Sequence, residues 1–291
     1  MVNSNSKTGT TLSRAVGIGL RPPHYTKILE DKPFIPWLEV HSENFLMAGG
    51  PSIDFIKTVR ETYPLSLHGL SLSLGSADGM DMGHLSRLKK LIDSLDPCFI
   101  SDHLAWNKIG DIYFHNLCPV PYTEESLDVF IKNIDIAQTV LKRRIAIENP
   151  ASYLEYTVST IPENEFLCEV AKRAGASLLL DINNLYISSY NHGWCAYTYL
   201  TSIPSHLVTE IHLAGHSTQM INNFPFKIDD HGNEVCRDVW ELYKSAINHL
   251  GPKATLIEWD NNIPDLSVLL QEAQIAQEIL SQETLLHDIA S

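Results

Sequence analysis

None of the five cysteines, Cys98, Cys118, Cys168, Cys195 and Cys236, stands in a C-x-x-C pair. Their odd number and wide spacing argue against a disulfide framework and against a thiolate metal site. Any metal ion in this chain is therefore expected on nitrogen and oxygen. Positive charge is scarce as well: 21 Lys plus Arg face 35 Asp plus Glu, a net −14 at pH 7, and no basic run offers a track for phosphates. Nucleic acid is not an expected partner.

Long apolar runs are also missing. No stretch approaches the ~20 apolar residues needed to span a bilayer. The N-terminal MVNSNSKTGTTLSRAVGIGL is polar where a signal peptide needs an apolar core. The expectation is a cytoplasmic protein with no membrane partner. No Gly/Ser linker, low-complexity segment or internal repeat marks a second domain. Residues 13–291 are thus read as one domain behind a mobile tail, residues 1–12.

What is present is a chain of 291 residues, 44% hydrophobic and 19% charged, long enough for a large core. Eight short apolar runs rich in β-branched residues read as strands: AVGIGL from 15, WLEVHSENF from 37, LSLHGLSLSL from 65, CFISDHLAW from 98, RIAIENP from 144, SLLLDINNLY from 177, TEIHLAGH from 209 and TLIEWD from 255. Helical periodicity lies between most of them, at 51–63, 84–95, 125–143, 163–175 and 235–250, and again after the last at 265–280. Gly175 reads as a helix stop, and Pro264 announces the last helix.

Eight strands alternating with helices match an α/β fold, a single (β/α)8 TIM barrel of ~250 residues, better than a six-stranded open sheet. Two connections exceed what a βα unit needs: NKIGDIYFHNLCPVPY after the fourth strand and residues 217–234 after the seventh. In such a barrel both fall on the C-terminal face, as candidate lids and peptide contacts.

Near the ends of these strands stand Glu43, His68, His103, Glu148, Asp181, His212 and Glu258. One such residue is ordinarily a hydrogen-bonded polar group. Seven together are a different matter, because a buried carboxylate without compensation costs several kcal/mol or loses its charge. A metal ion supplies that compensation. Imidazole and carboxylate without thiolate suit Fe, Mn, Zn or Co, and so many histidines disfavour Ca and Mg. Eight or nine ligands imply at least two ions.

The long loop after the seventh strand contains KIDDHGNEV. There Asp229 and His231 stand at i and i+2, a spacing that in extended backbone points both side chains to one side. In LLDINNLY, Asn183 and Asn184 read either as left-handed turn residues or, for Asn184, as a carbonyl donor. His41, His192 and His216 are weaker candidates. His24, His84, His115, His206, His249 and His287 read as surface or packing residues.

The segments GIGLRPPHY, EVHSENF, LHGLSLSLG, SDHLAW, IENPASYL, LLDINNLYISSYNHG, EIHLAGH, KIDDH and LIEWDNNIP follow one another in this order. Together they resemble the multinuclear non-heme iron-dependent oxidative enzymes, the MNIO family, from about Gly17 to Pro264 and nearly to the C-terminus.

The resemblance implies a TIM barrel holding two to three iron ions, mixed Fe(II)/Fe(III), at its C-terminal face. It also implies O2 as co-substrate and oxidation of cysteine or another residue in a ribosomally made precursor peptide. Relatives in methanobactin biosynthesis convert cysteine to an oxazolone and neighbouring thioamide. Carried over motif by motif, the iron ligands are His68, His103, Glu148, Asp181, Asn184, His212, Asp229, His231 and Glu258. His103, Glu148 and Asp181 are expected at the reacting centre, and Glu43 takes a supporting role.

Two places depart from the family pattern: Asp-Thr-His becomes Asp229-Asp230-His231, and Glu-Arg-Asp becomes Glu258-Trp259-Asp260. Relatives commonly work with a separate protein that captures the precursor's leader segment; no leader-binding domain is expected in this chain, so a separate leader-binding partner is expected as well.

In this reading a substrate thiolate occupies an open iron position, its pKa lowered by the metal. Oxidation then starts with hydrogen abstraction from the cysteine β-carbon, and no protein cysteine serves as nucleophile. Two alternatives compete. One is a zinc- or manganese-dependent TIM-barrel hydrolase or isomerase, of the phosphodiesterase or sugar isomerase type. The other is a metal-binding scaffold without turnover.

Overall fold

Each of the eight apolar runs contributes one strand to a parallel sheet in the computed structural model, which describes residues 12–290. The strands are β1 (Val16–Gly19), β2 (Leu38–His41), β3 (Leu65–His68), β4 (Phe99–His103), β5 (Trp106–Ile109), β6 (Ile112–Cys118), β7 (Ala146–Glu148), β8 (Ser177–Asp181), β9 (Val208–Leu213), β10 (Ser217–Ile221), β11 (Phe224–Ile228) and β12 (Ala254–Ile257). The helices are α1 (Tyr25–Asp31), α2 (Pro51–Thr62), α3 (Met82–Leu95), α4 (Glu124–Leu141), α5 (Glu163–Ala174), α6 (Ile182–His192), α7 (Ala196–Ser202), α8 (Arg237–Leu250) and α9 (Leu266–Ala290).

The sheet closes in the order β1-β12-β9-β8-β7-β4-β3-β2, the eight-stranded barrel expected from the alternation. β5 with β6 and β10 with β11 form separate two-stranded antiparallel hairpins. The residues group into two compact units, one comprising the chain up to Glu39 and from Leu180 onward, the other Val40–Leu179.

In the Val40–Leu179 unit, β3 pairs with β4, β4 with β7 and β7 with β8, with His68 beside Ser101 and His103 beside Glu148. β3, β7 and β8 are buried along their whole length, which explains their near-continuous apolar sequence. α3 turns Leu85, Leu88, Leu91, Ile92 and Leu95 inward, and α4 contributes Phe130, Ile134 and Leu141. Each such side chain is worth about 1.5–3 kcal/mol of burial. Asp81 caps α3 by accepting from the His84 amide at 3.0 Å, and Thr123 and Ser126 form a capping box on α4. α5 stops at Gly175, whose φ of 64° is the left-handed conformation expected of a helix-ending glycine.

In the other unit, β1 lies between β12 and the start of β2, and β12 pairs with β9 with Leu256 beside His212. Trp37, Ile18 and Tyr243 are among its largest buried side chains. The Tyr243 hydroxyl shares a 3.0 Å hydrogen bond with Thr255, so α8 is tied to β12 by a polar contact as well as by packing.

Three local readings change. The run SLLLDINNLY stops being a strand at Asp181, because the Asp181 carboxylate accepts from the Asn184 amide at 2.6 Å and caps α6 at once. Asn183 and Asn184 are helical rather than left-handed. In WLEVHSENF the strand ends at His41, and Glu43 lies in the 3-10 turn Ser42–Phe45. The short helices α1 and α7, seven residues each, carry no periodic pattern long enough to show in the sequence.

Both long connections are hairpins that expose apolar side chains, among them Ile112, Tyr113 and Phe114 on β6, and Met220 and Phe224 on β10 and β11. Of the tail expected at residues 1–12, all but the buried Leu12 lies outside the described residues. Among the described residues no helix is long and apolar enough to cross a membrane.

Asp81 also accepts from the Tyr113 hydroxyl and lies 3.7 Å from Lys108 Nζ, so one carboxylate ties the β5–β6 hairpin to the start of α3. Asp81→Ala is expected to cost about 1 kcal/mol in denaturant unfolding and to speed proteolytic cleavage within 106–118. Unchanged stability and an unchanged cleavage rate would show that the hairpin is held by other contacts.

Candidate metal centre

His68, His103 and Glu148 are the last residues of β3, β4 and β7, and neighbouring register brings their side chains together. All three are buried. Glu148 Oε2 lies 3.3 Å from His68 Nε2 and 3.2 Å from His103 Nε2, and the imidazole centroids are 4.6 Å apart.

The opposite ring nitrogens are engaged. His103 Nδ1–H donates to the Gly69 carbonyl at 3.1 Å, and His68 Nδ1 is 2.8 Å from Ser101 Oγ. A carbonyl can only accept, so the neutral His103 ring carries its proton on Nδ1 and turns the Nε2 lone pair toward Glu148. At 3.2–3.3 Å apart, the Glu148 oxygen and either imidazole nitrogen would subtend about 100° at an ion about 2.1 Å from both. The donor set thus fits one metal ion with two imidazoles and a carboxylate.

The loop after β3 sets this geometry. Asp102 accepts from the His103 amide at 2.7 Å and from the Leu72 amide at 3.1 Å, while Glu43 accepts from the Leu70 amide at 3.0 Å. Burial and then the Glu43 charge push the Asp102 carboxyl up to about 8, against the backbone hydrogen bonds that favour its ionised form. Glu43 therefore supports the loop that orients His103 and belongs to no donor group among the described residues. A Cβ on Gly69 would stand 2.4 Å from Asp102 Oδ2, on a carboxylate held in place by the His103 and Leu72 amides. His41, whose ring centroid is 6.1 Å from that of His68, is the next imidazole out.

The other unit holds a second collection. Asp181 ends β8, His212 lies near the end of β9, Glu258 follows β12, and Asp229 and His231 come from the loop after β11. Two groups of donor atoms within 4.8 Å of one another occur here: Asp181, His231 and Glu258, and also Glu39, His212 and Glu258. His212 Nδ1 is 3.0 Å from Glu258 Oε2, and His231 Nε2 is 2.7 Å from Asp229 Oδ1.

His231 takes a φ of 44°, so it meets Asp229 through a left-handed turn rather than the extended spacing expected. That turn is fastened to the segment after β12: the Asp260 amide donates to the His231 carbonyl at 2.8 Å, and Asp260 Oδ2 faces His231 Nδ1 at 3.2 Å. Asp230 closes the turn, its carboxylate accepting from the Gly232 amide at 3.4 Å and its carbonyl from the Asn261 side chain at 2.5 Å.

Buried charge dominates the electrostatics of this unit. Burial pushes the Asp181 carboxyl up to about 7, helped by Asp229 and opposed by His231 and His212. Glu210, two residues before His212, is likewise pushed up to about 7 by burial. Burial works to lower His212 and His231, yet the facing carboxylates hold both imidazoles well above their usual value, Glu39 and Glu258 for His212 and Asp229 and Glu258 for His231. Such a collection favours a bound cation.

One cation is built in, and the sequence reading gave it no role. Arg21, following β1, donates from Nε to Asp260 Oδ1 at 2.6 Å and from Nη2 to Glu258 Oε1 at 3.3 Å. Glu39 was missed too, although it alternates with His41 along WLEVHSENF. Asn184 is buried in the first turn of α6, beside the carboxylate that caps it.

His216 has both ring nitrogens engaged by protein. Nδ1–H donates to Asn183 Oδ1 at 2.8 Å, and Nε2 accepts from Lys227 at 3.0 Å. Asn183 in turn donates to Asp229 at 3.2 Å, so His216 braces Asp229. His192 closes α6, half-buried. His24 and His84, read as packing or surface residues, are both buried.

Fold and site together define a TIM-barrel protein whose strand ends carry buried nitrogen and oxygen donors grouped for metal binding. Residues 15–281 match the family described as RiPP precursor modification enzyme MbnB/TglH/ChrH, RiPP denoting a ribosomally made, post-translationally modified peptide, and the chain belongs to that family. It is 47% identical to a UPF0276 protein of Vibrio parahaemolyticus over 92% of this chain and 93% of the relative. It is 46% identical to a UPF0276 protein of Caulobacter vibrioides over 90% and 92%. Among solved structures, D-psicose 3-epimerase of Clostridium cellulolyticum shares the fold with a TM-score of 0.58 at 11% identity, over 94% of this chain and 99% of that one.

Removing the guanidinium leaves Glu258 and Asp260 undercompensated, so Arg21→Ala is expected to destabilise the chain by about 3 kcal/mol in denaturant unfolding. A cost below 1 kcal/mol would contradict that role. Gly69→Ala must displace Asp102 and with it the His103 ring. Its expected signature is reduced metal content in a protein whose circular dichroism is unchanged, and full metal content would refute the close-contact argument.

Proposed function

We propose that the chain is an iron-dependent, O2-using oxidase that modifies cysteine, or another residue, in a ribosomally made precursor peptide. The observation that carries this reading is the His68, His103 and Glu148 group, whose imidazoles are oriented by hydrogen bonds at the opposite nitrogens, the arrangement metal-binding histidines use. Family membership supports the substrate class.

In this reading His68, His103 and Glu148 hold one iron. Asp181, Asn184, His212, Asp229, His231 and Glu258 hold the others, two to three irons in all, mixed Fe(II)/Fe(III). Iron bound there supplies electrons for O2 chemistry and acidifies a substrate thiol. The chain's own contribution is geometric and electrostatic. Gly69 and Ser101 fix the imidazole orientations, and Arg21 and Asp260 hold Glu258 and His231. The buried strand ends limit access of water.

His103, Glu148 and Asp181 are the residues to which this reading gives the catalytic role. The exposed apolar side chains of each hairpin are candidate contacts for an extended peptide, with a separate protein capturing its leader. The likeness to an epimerase at 11% identity speaks for the fold alone and lends the hydrolase or isomerase reading no residue of its own.

The deciding experiment is elemental analysis of protein purified anaerobically, followed by O2 uptake with reductant and a cysteine-containing precursor peptide. Two to three irons per chain and peptide-dependent uptake are expected; zinc or manganese without iron would return the reading to hydrolysis or isomerisation, and iron without uptake to a scaffold. His103→Ala should lower metal content and turnover together. Full iron and full activity in that variant would overturn the assignment of this ligand.

A further inference from the structure

Among the described residues of this site, Glu210 is the buried carboxylate that no donor group uses. It precedes His212 by two residues on β9, so both side chains leave the strand on the same face, and neither has exposed surface. Neither Glu210 oxygen has a polar partner other than the His212 ring, whose Nε2 lies 3.7 Å from Oε1. In a buried carboxylate that is an anomaly requiring an explanation.

His212 gives one. Its Nε2 lies 3.4 Å from Glu39 Oε1 and 3.7 Å from Glu210 Oε1, and its Nδ1 lies 3.0 Å from Glu258 Oε2. The imidazole thus has a carboxylate pair on one edge, and on the other a carboxylate that also belongs to the Asp181 and His231 group. Register separates the two edges. Glu210 pairs with Ala254 and His212 with Leu256, whereas Glu258 lies beyond the end of β12. Along the strand direction Glu210 is therefore about 6.6 Å behind His212, away from the strand ends.

Imidazoles that bind metal through one nitrogen donate the other N–H to a carboxylate, which fixes the tautomer and raises ligand basicity. We propose that Glu39 and Glu210 form a buried carboxylate pair that holds His212 by its Nε2–H and so presents Nδ1 as a metal ligand beside Glu258. Both are positioning residues acting through His212. This inference rests on the metal-binding reading above.

The test compares Fe(II) binding, measured anaerobically against a competing chelator, with denaturant unfolding of the metal-free protein. Glu210→Leu separates positioning from packing, since leucine fills similar space without a desolvated carboxylate. The metal-free variant is expected to be as stable as the parent or more so. One equivalent of Fe(II) should nevertheless bind 10–100-fold more weakly, with the remaining equivalents unchanged, and Glu39→Gln should weaken the same equivalent.

Unchanged Fe(II) affinity in Glu210→Leu overturns the proposal. Should that variant lose metal and stability together, Glu210→Gln decides: weaker Fe(II) binding at parental metal-free stability supports it, and parental affinity overturns it. Parent protein that binds no Fe(II) overturns the metal-binding reading itself, a result distinct from normal parental binding with unaffected variants.

Discussion

Charge that cannot reach water has to be balanced where it lies, and this constraint organises the interior of the molecule. Glu39, Glu148, Asp181, Glu210 and Glu258 are all buried within barrel strands or just beyond them. In a medium of low polarity each would cost several kcal/mol if ionised alone. Histidines facing carboxylates and one arginine supply part of the compensation, and the raised Asp181 and Glu210 carboxyls and raised His212 and His231 imidazoles mark what remains. A metal ion meets that demand with the donors already present.

The same side chains carry fold and site. Asp181 caps α6 while standing in a donor group, Asp102 ties the loop after β3 while fixing the His103 backbone, and Asp260 joins Arg21 to the turn that presents His231. Substitutions at such positions therefore register in stability and in metal binding at once, and stability measured without metal is the means of telling the two apart.

A barrel of this kind hosts many reactions, which is why its likeness to sugar epimerases says little about chemistry. What distinguishes this chain is its family membership and two hairpins that present apolar side chains. Those features favour a peptide over a small sugar as the partner.

The barrel was legible from one dimension because strand and helix periods differ and alternate, and because buried parallel strands leave continuous apolar runs. The donor residues at strand ends were legible for a related reason: a polar residue closing an apolar run is costly unless it has a use. The sequence determined little about which polar residues meet. Arg21 and Glu39 gain their roles from partners more than 170 residues away, His212 for Glu39 and Glu258 for Arg21. His231 reaches Asp229 through a left-handed turn that no spacing rule foretells. The tautomer of His103 depends on a carbonyl 34 residues earlier. Local sequence sets periodicity and caps because those interactions act within a few residues, whereas the balance of buried charge is a sum over distant strands and exists only once the sheet has closed.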